Sequence, residues 1–258
     1  MTRIDRRALF ASGAAAALLA ATGVSAAPKR GGRLKAALSS DMFDKAVAAT
    51  VFNNLTEIGA DGTLRGELAT DWTSDQDGLS WQFSLRDGVT FHDGTAFDAR
   101  VVDLPFNIRT LDRHRVEITL EEANPNLPYL LAQPGFEQRS AAGFGTGLYQ
   151  VQKLDKGRHF IGARVEGHWK SENAGWFDSV EFVQFGLETV RSEALRDGLV
   201  DVADIATLDA YADPRDFQTL RDGDKTTFIA SQTIAVPATV GKAWPLDNLR
   251  MAERWWMA

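Results

Sequence analysis

The sequence contains no cysteine, which excludes disulfide bonds, thiolate metal sites and attachment of a lipid to an N-terminal cysteine. Basic residues are also scarce, since 28 Lys and Arg face 35 Asp and Glu and give a net charge of −7. These cations are scattered along the chain, so the electrostatic footprint of a nucleic-acid-binding protein is missing. After residue 26 no apolar run reaches the length of about 17–25 residues that crosses a bilayer.

Histidine clusters and nucleotide-binding loops are missing as well. No histidine has a second histidine or a carboxylate three or four positions away in a predicted helix, so a zinc site is not expected. The "GFGTG" segment at 143–147 lacks the ending of a P-loop and the spacing of a dinucleotide-binding loop. Its glycines are predicted to permit a tight turn and a close backbone approach before a strand. The chain also has no Gly-x-Ser-x-Gly motif. We expect no catalytic residues, no metal site and no cofactor.

The N-terminus has the layout of an export signal. Basic residues at Arg3, Arg6 and Arg7 precede an alanine-rich apolar run and the small residues of 24–26. The pair Arg6-Arg7 before Ala8-Leu9-Phe10 resembles a twin-arginine signal. We therefore predict that residues 1–26 are an export signal, cleaved near Ala26 or Ala27, and that the protein is periplasmic; an uncleaved anchor is the alternative.

Hydrophobic alternation predicts a strand-rich chain between residues 27 and 244. The first predicted strand, at 33–38, ends in a polar loop at 39–41. Alternating apolar residues at 80–91 are the clearest strand signal, and further strands are predicted at 115–120, between 148 and 186, after Val200 and from Thr226. Apolar residues four apart predict a helix from about Asp44 to Asn54, and a second helix of about ten residues should end at Gly198. Many short strands that look antiparallel, together with a few helices, predict a strand-rich α+β architecture.

Four segments resemble, in the right order, the family 5 solute-binding proteins of ABC importers, the oligopeptide, dipeptide and nickel group. The first, at 68–102, contains "LATDW" and "LRDGVTFHDG". The second, at 145–170, contains "GTGLY" and ends in "GHWK". The third is "ALRDGLVDVA" at 194–203, and the fourth is "PLDNLRMAERWWMA" at 245–258. Each motif alone is weak evidence, but four in sequence are strong evidence.

The resemblance implies the first lobe of a periplasmic-binding-protein fold of type II, the three-domain peptide-binding kind. The implied function is that of the exported substrate-binding component of an ABC transporter, in reduced form. Its expected partners are a peptide or similar small-molecule ligand and a membrane permease. The alternative is a non-binding interaction module or a truncated relic of such a protein.

Family members are longer than this chain, so most of the second lobe is expected to be missing. Residues 245–258 would correspond to its start, and Trp256 is predicted to fold back on the first lobe because an apolar helix face is costly to leave in water. The residues expected to face the ligand form two groups, for which an ordinary surface loop is an equally open interpretation. These are Ser39, Ser40 and Asp41, and Phe144, Gly145 and Thr146.

Overall fold

A computed structural model describes residues 30–58, 63–172, 174–206, 217–222 and 226–231 of the chain. The predicted export signal at 1–26 and the predicted helix at 245–258, with Trp256, lie outside these residues. The described helices are α1 (Ser40–Val51), α2 (Leu127–Leu131) and α3 (Glu188–Arg196). The described strands are β1 (Arg33–Leu38), β2 (Thr56–Ile58), β3 (Leu64–Gly66), β4 (Ala69–Ser74), β5 (Ser80–Leu85), β6 (Asn107–Asp112), β7 (Arg115–Thr119), β8 (Tyr149–Asp155), β9 (His159–Arg164), β10 (Ser179–Gln184), β11 (Val202–Asp204), β12 (Phe217–Asp222) and β13 (Thr226–Ser231).

Seven strands form the larger sheet, in the order β12-β13-β11-β1-β10-β9-β8. β1 lies parallel to β10 and β11, while the outer pairs are antiparallel. The sheet is therefore mixed, although the short strands predict an antiparallel one. Buried β1 side chains face both ways, because Leu34 and Leu38 belong to the same apolar cluster as Phe43 of α1, whereas Ala37 packs with Leu195 of α3. Both faces are covered at the end of β1, which explains why residues 36–38 form a continuous apolar run, whereas Arg33 and Lys35 at its start are exposed.

A second apolar core lies against the four-stranded antiparallel sheet, ordered β4-β5-β7-β6. The alternation predicted at 80–91 is confirmed for β5, whose Trp81, Phe83 and Leu85 are buried. Val89 and Phe91 are also buried, but they are not part of a strand. The reason is that turns interrupt the chain on both sides, at Gly88 with φ 73° and at Gly94 with φ 82°.

The predicted loop at 39–41 is wrong for two of its three residues, because α1 already begins at Ser40 and ends at Val51. Ser39 precedes it in an extended conformation and is bound to the side chain of Asp204 from β11. The Ser39 amide donates a 2.7 Å hydrogen bond to Asp204 Oδ1. A long-range contact therefore decides where this helix starts. The helix predicted to end at Gly198 is confirmed as α3, since Gly198 has φ 67° just beyond it.

Candidate functional site

A cleft of about 750 Å³ lies between α1, the segment 139–145, β8 and the turn after β8. This volume falls within the range of about 300–1,000 Å³ that is usual for small-molecule sites. Most of its lining is apolar. The apolar side chains are Phe43, Val47, Ala48, Val51, Phe52, Ala142, Phe144, Val151 and Leu154.

The charged side chains of the cleft are two cations, Arg139 and Lys156, and one anion, Asp44. The Arg139 guanidinium carbon lies 3.7 Å from the centroid of the Phe52 ring, a cation–π contact that fixes the arginine at the cleft. Its nearest carboxylate contact is long, with 3.9 Å between Arg139 Nη2 and Glu137 Oε2. His92 adds no charge at neutral pH, because burial lowers its pKa below the ordinary value of 6.5. The cleft therefore has a net positive charge.

One wall of the cleft is the glycine-rich segment 143–147, which packs directly on the end of α1. A Cβ atom on Gly145 would lie 2.0 Å from the carbonyl oxygen of Val51. A Cβ on Gly147 would lie 2.4 Å from that of Thr50, and the Gly147 amide donates a 2.8 Å hydrogen bond to Val51 O. The prediction that these glycines permit a close backbone approach is confirmed.

A tight turn at 140–144 leads into this wall. It presents the ring of Phe144, which is 45% exposed, to the cleft. Ser140 organises the turn: its hydroxyl donates to Asp93 Oδ2 over 2.9 Å and accepts the Phe144 amide over 3.1 Å. The Gly143 amide donates to Ser140 O over 2.8 Å, and Gly143 has φ 84°. Phe144 is therefore held at the surface by a built turn rather than by an apolar core.

The six predicted ligand-facing residues separate into three environments. Phe144 and Gly145 line the cleft. Thr146 also belongs to the wall, but its side chain is buried and its hydroxyl donates a 2.9 Å hydrogen bond to Asn53 Oδ1. Ser39, Ser40 and Asp41 lie at the first turn of α1 and do not line the cleft.

Other cleft residues were not predicted from the sequence. Val47 and Val51 of α1 signal an apolar helix face, but spacing alone does not separate a core face from a cleft wall. Val151 and Leu154 lie on β8, the edge strand of the larger sheet, and are more than two-fifths exposed. Arg139 had no local signal at all.

Comparison with known proteins finds that the chain is similar to solute-binding proteins. Residues 63–107 match the family model for bacterial extracellular solute-binding proteins, family 5 middle. The chain is 26% identical over 186 residues to the nickel-binding periplasmic protein of Escherichia coli K12, covering 59% of this chain and 35% of that protein. It is 25% identical over 216 residues to the probable D,D-dipeptide-binding periplasmic protein of the same organism, covering 68% of this chain and 42% of that protein.

The fold is shared with a solved periplasmic binding protein. The periplasmic binding protein AgaA of A. tumefaciens R10, solved in complex with agropinic acid, superposes with a TM-score of 0.67 at 23% identity. The match covers 74% of this chain and 48% of that one. The chain thus spans well under half the length of the two curated relatives and about half that of the solved protein. The resemblance, the periplasmic-binding-protein fold and the non-enzymatic class of the relatives agree with the predictions from sequence.

Two features are absent from the part of the chain that the structure describes. None of its helices combines the length and the apolar character needed to cross a membrane. Nor do three or more histidine or carboxylate side chains gather there in a group that could hold a metal ion.

Proposed function

Because the chain is related to the family 5 extracellular solute-binding proteins, we propose that it is a substrate-binding component of an ABC transporter for peptides or related small solutes. The observation that supports this most directly is the cleft, whose volume and mostly apolar lining suit a small organic ligand. The nickel- and D,D-dipeptide-binding names of its relatives support the same class of cargo.

The lining favours a ligand that combines an apolar part with an anionic group. Phe52 and Phe144 offer aromatic surface, while Arg139 and Lys156 outnumber Asp44. A guanidinium binds a carboxylate with two parallel hydrogen bonds. Of the ligand-facing residues predicted from sequence, Phe144 and Gly145 are proposed to contact the ligand, and the first turn of α1 is proposed to flank it.

A thermal-shift panel of acidic, neutral and basic short peptides and metal chelates tests the proposal. We expect acidic peptides with an apolar side chain to raise the melting temperature most, and Arg139→Gln to abolish that preference. Arg109→Gln is the matched control, because Arg109 lies on β6 in the other sheet and pairs with Glu117. If no member of the panel binds, while a permease is still recruited, the interaction-module alternative replaces this proposal.

The proposal includes export to the periplasm and docking to a membrane permease. The supporting observation for export is the N-terminal layout with Arg6-Arg7, and two relatives are named as periplasmic proteins. Cell fractionation of the full chain should find it in the periplasm, and a variant with Arg6-Arg7→Lys-Lys should stay in the cytoplasm if the route is twin-arginine export. Equal export of both proteins would contradict that route.

A further inference from the structure

Two histidines hold consecutive carbonyl groups of the cleft wall: His92, which also lines the cleft, and His168, which does not. His168 Nε2 lies 2.8 Å from Thr146 O, and His92 Nε2 lies 2.8 Å from Gly147 O. The His92 amide also donates to Gly145 O over 2.9 Å. Three successive carbonyls of the wall are thus fixed by groups that approach from two other loops.

The partners define the tautomer of His168. A carbonyl oxygen can only accept, so Nε2 carries the hydrogen, and Nδ1 accepts the Lys170 amide over 3.0 Å. The neutral ring therefore bridges one backbone donor and one backbone acceptor. Protonation at Nδ1 would remove the acceptor and place two donors, the ring and the Lys170 amide, against each other.

His168 is one member of a closed circuit of hydrogen bonds around Thr146. The Thr146 hydroxyl donates to Asn53 Oδ1, and Asn53 Nδ2 donates to Glu67 Oε1 over 2.6 Å. The Lys170 ammonium contacts the same Glu67 oxygen, and the Lys170 amide returns the circuit to His168. Because Glu67 is fully buried, the circuit is shielded from competing water.

We propose that His92 and His168 are positioning residues that fix the backbone of 145–147, and with it the Phe144 and Gly145 surface that the ligand would contact. Neither imidazole needs to touch the ligand. The inference rests on the proposed function only where it concerns ligand binding, because the rigidity of the wall can be measured without a ligand.

Hydrogen exchange measured on the full chain tests the positioning. His168→Leu removes the donor to Thr146 O and should speed exchange in the segment 140–148 about tenfold, the factor expected for losing one hydrogen bond to a buried carbonyl. Exchange in β10 should stay unchanged. His168→Gln, which keeps an N–H donor at similar reach, should restore most of the protection.

The matched control is His159→Leu, which removes a partly buried histidine whose ring pairs with Glu181 on β10 instead of with a carbonyl of the wall. It should leave exchange in 140–148 unchanged. Thr146→Val removes the hydroxyl that belongs to the circuit and should also speed exchange in 140–148. It gives an independent measurement if His168→Leu does not fold. The proposal is overturned if the wall variants leave exchange in 140–148 within twofold of the parent, or if exchange rises equally in β10.

Binding of anilinonaphthalene sulfonate, an aromatic anion, separates this inference from the proposed function. We expect His168→Leu to weaken its binding several-fold and His168→Gln to restore it. Loosening of the wall without any change in dye affinity would overturn the role in binding. Failure of the whole peptide panel would count against the proposed function and leave the exchange result standing.

Discussion

Gly145→Ala is the sharpest perturbation of the cleft wall. The added Cβ would lie 2.0 Å from Val51 O, 2.8 Å from Val51 C and 2.6 Å from an atom of the Phe52 ring. Ordinary contacts begin near 3.4 Å, so wall and helix must separate by more than an ångström. Gly145 does not have a positive φ, so steric contact alone produces the effect.

The expected cost is the sum of two contributions. Overpacking of a tight contact costs about 1–3 kcal/mol. Separation also weakens the hydrogen bond from the Gly147 amide to Val51 O, 2.8 Å long, which contributes about 0.5–1.5 kcal/mol. We therefore expect the free energy of unfolding to fall by about 2–4 kcal/mol. Because the displaced segment carries Phe144, affinity for the aromatic anion should also fall.

Urea denaturation followed by tryptophan fluorescence measures the change. Gly186→Ala is the matched control, because its Cβ would meet nothing within 4 Å and its φ is not positive; it should be neutral or stabilising by up to about 1 kcal/mol. If the two variants differ by less than about 0.5 kcal/mol, within the error of additive surface changes, the close approach of wall and helix is not as described.

Three other predictions concern the core, the buried ion pair and pH. Phe83→Ala, at a fully buried position of β5, should lower the free energy of unfolding by about 3–5 kcal/mol. Phe144→Ala should leave the free energy of unfolding nearly unchanged and should reduce dye binding. If both variants lose similar stability, Phe144 does not face the ligand. Lys170→Met leaves the fully buried Glu67 carboxylate without this cation and should lower the free energy of unfolding by about 3–5 kcal/mol, measured by urea denaturation. Arg109→Met, in an exposed ion pair, should lower it by at most about 1 kcal/mol. Equal losses would contradict a larger contribution from the buried pair. Burial lowers the pKa of His168 from 6.5 to about 4, and Lys170, Glu67 and His92 are its titratable neighbours. The unfolded state therefore binds its proton first as pH falls. Stability should therefore decline between about pH 6.5 and 4 more steeply in the parent than in His168→Gln, and identical pH profiles would contradict the buried, neutral ring.

Local sequence patterns predicted most of the strands and both longer helices. The alternation of apolar and polar residues at 80–85 and at 115–119 correctly predicted β5 and β7. One face of that sheet is buried, and only then do apolar residues recur at every second position. Val89 and Phe91 carry the same pattern without forming a strand, since the turns at Gly88 and Gly94 limit the pairing of this segment to one bridge, between Thr90 and Ala96. The start of α1 could not be predicted, because Asp204, about 165 positions away, binds Ser39.

The ligand-facing residues were predicted less completely than the fold. The glycines at 145 and 147 pointed to a close approach, and the structure shows α1 as its partner. Ser39, Ser40 and Asp41 remain predictions that the described cleft does not include. The shared role of His92 and His168 depends on two loops that meet at 145–147, which no spacing in the sequence reveals.

The sequence by itself determined the α+β class, the resemblance to family 5 proteins and the need for glycine in the segment 143–147, because each of these depends on local periodicity or on ordered motifs. Only the tertiary structure decided which residues meet in the cleft. Arg139, Val151 and the face of α1 come together there through packing of distant segments. The same packing buries Thr146 and His168 and turns their polar groups toward each other, because a polar group withdrawn from water must find a partner inside the protein.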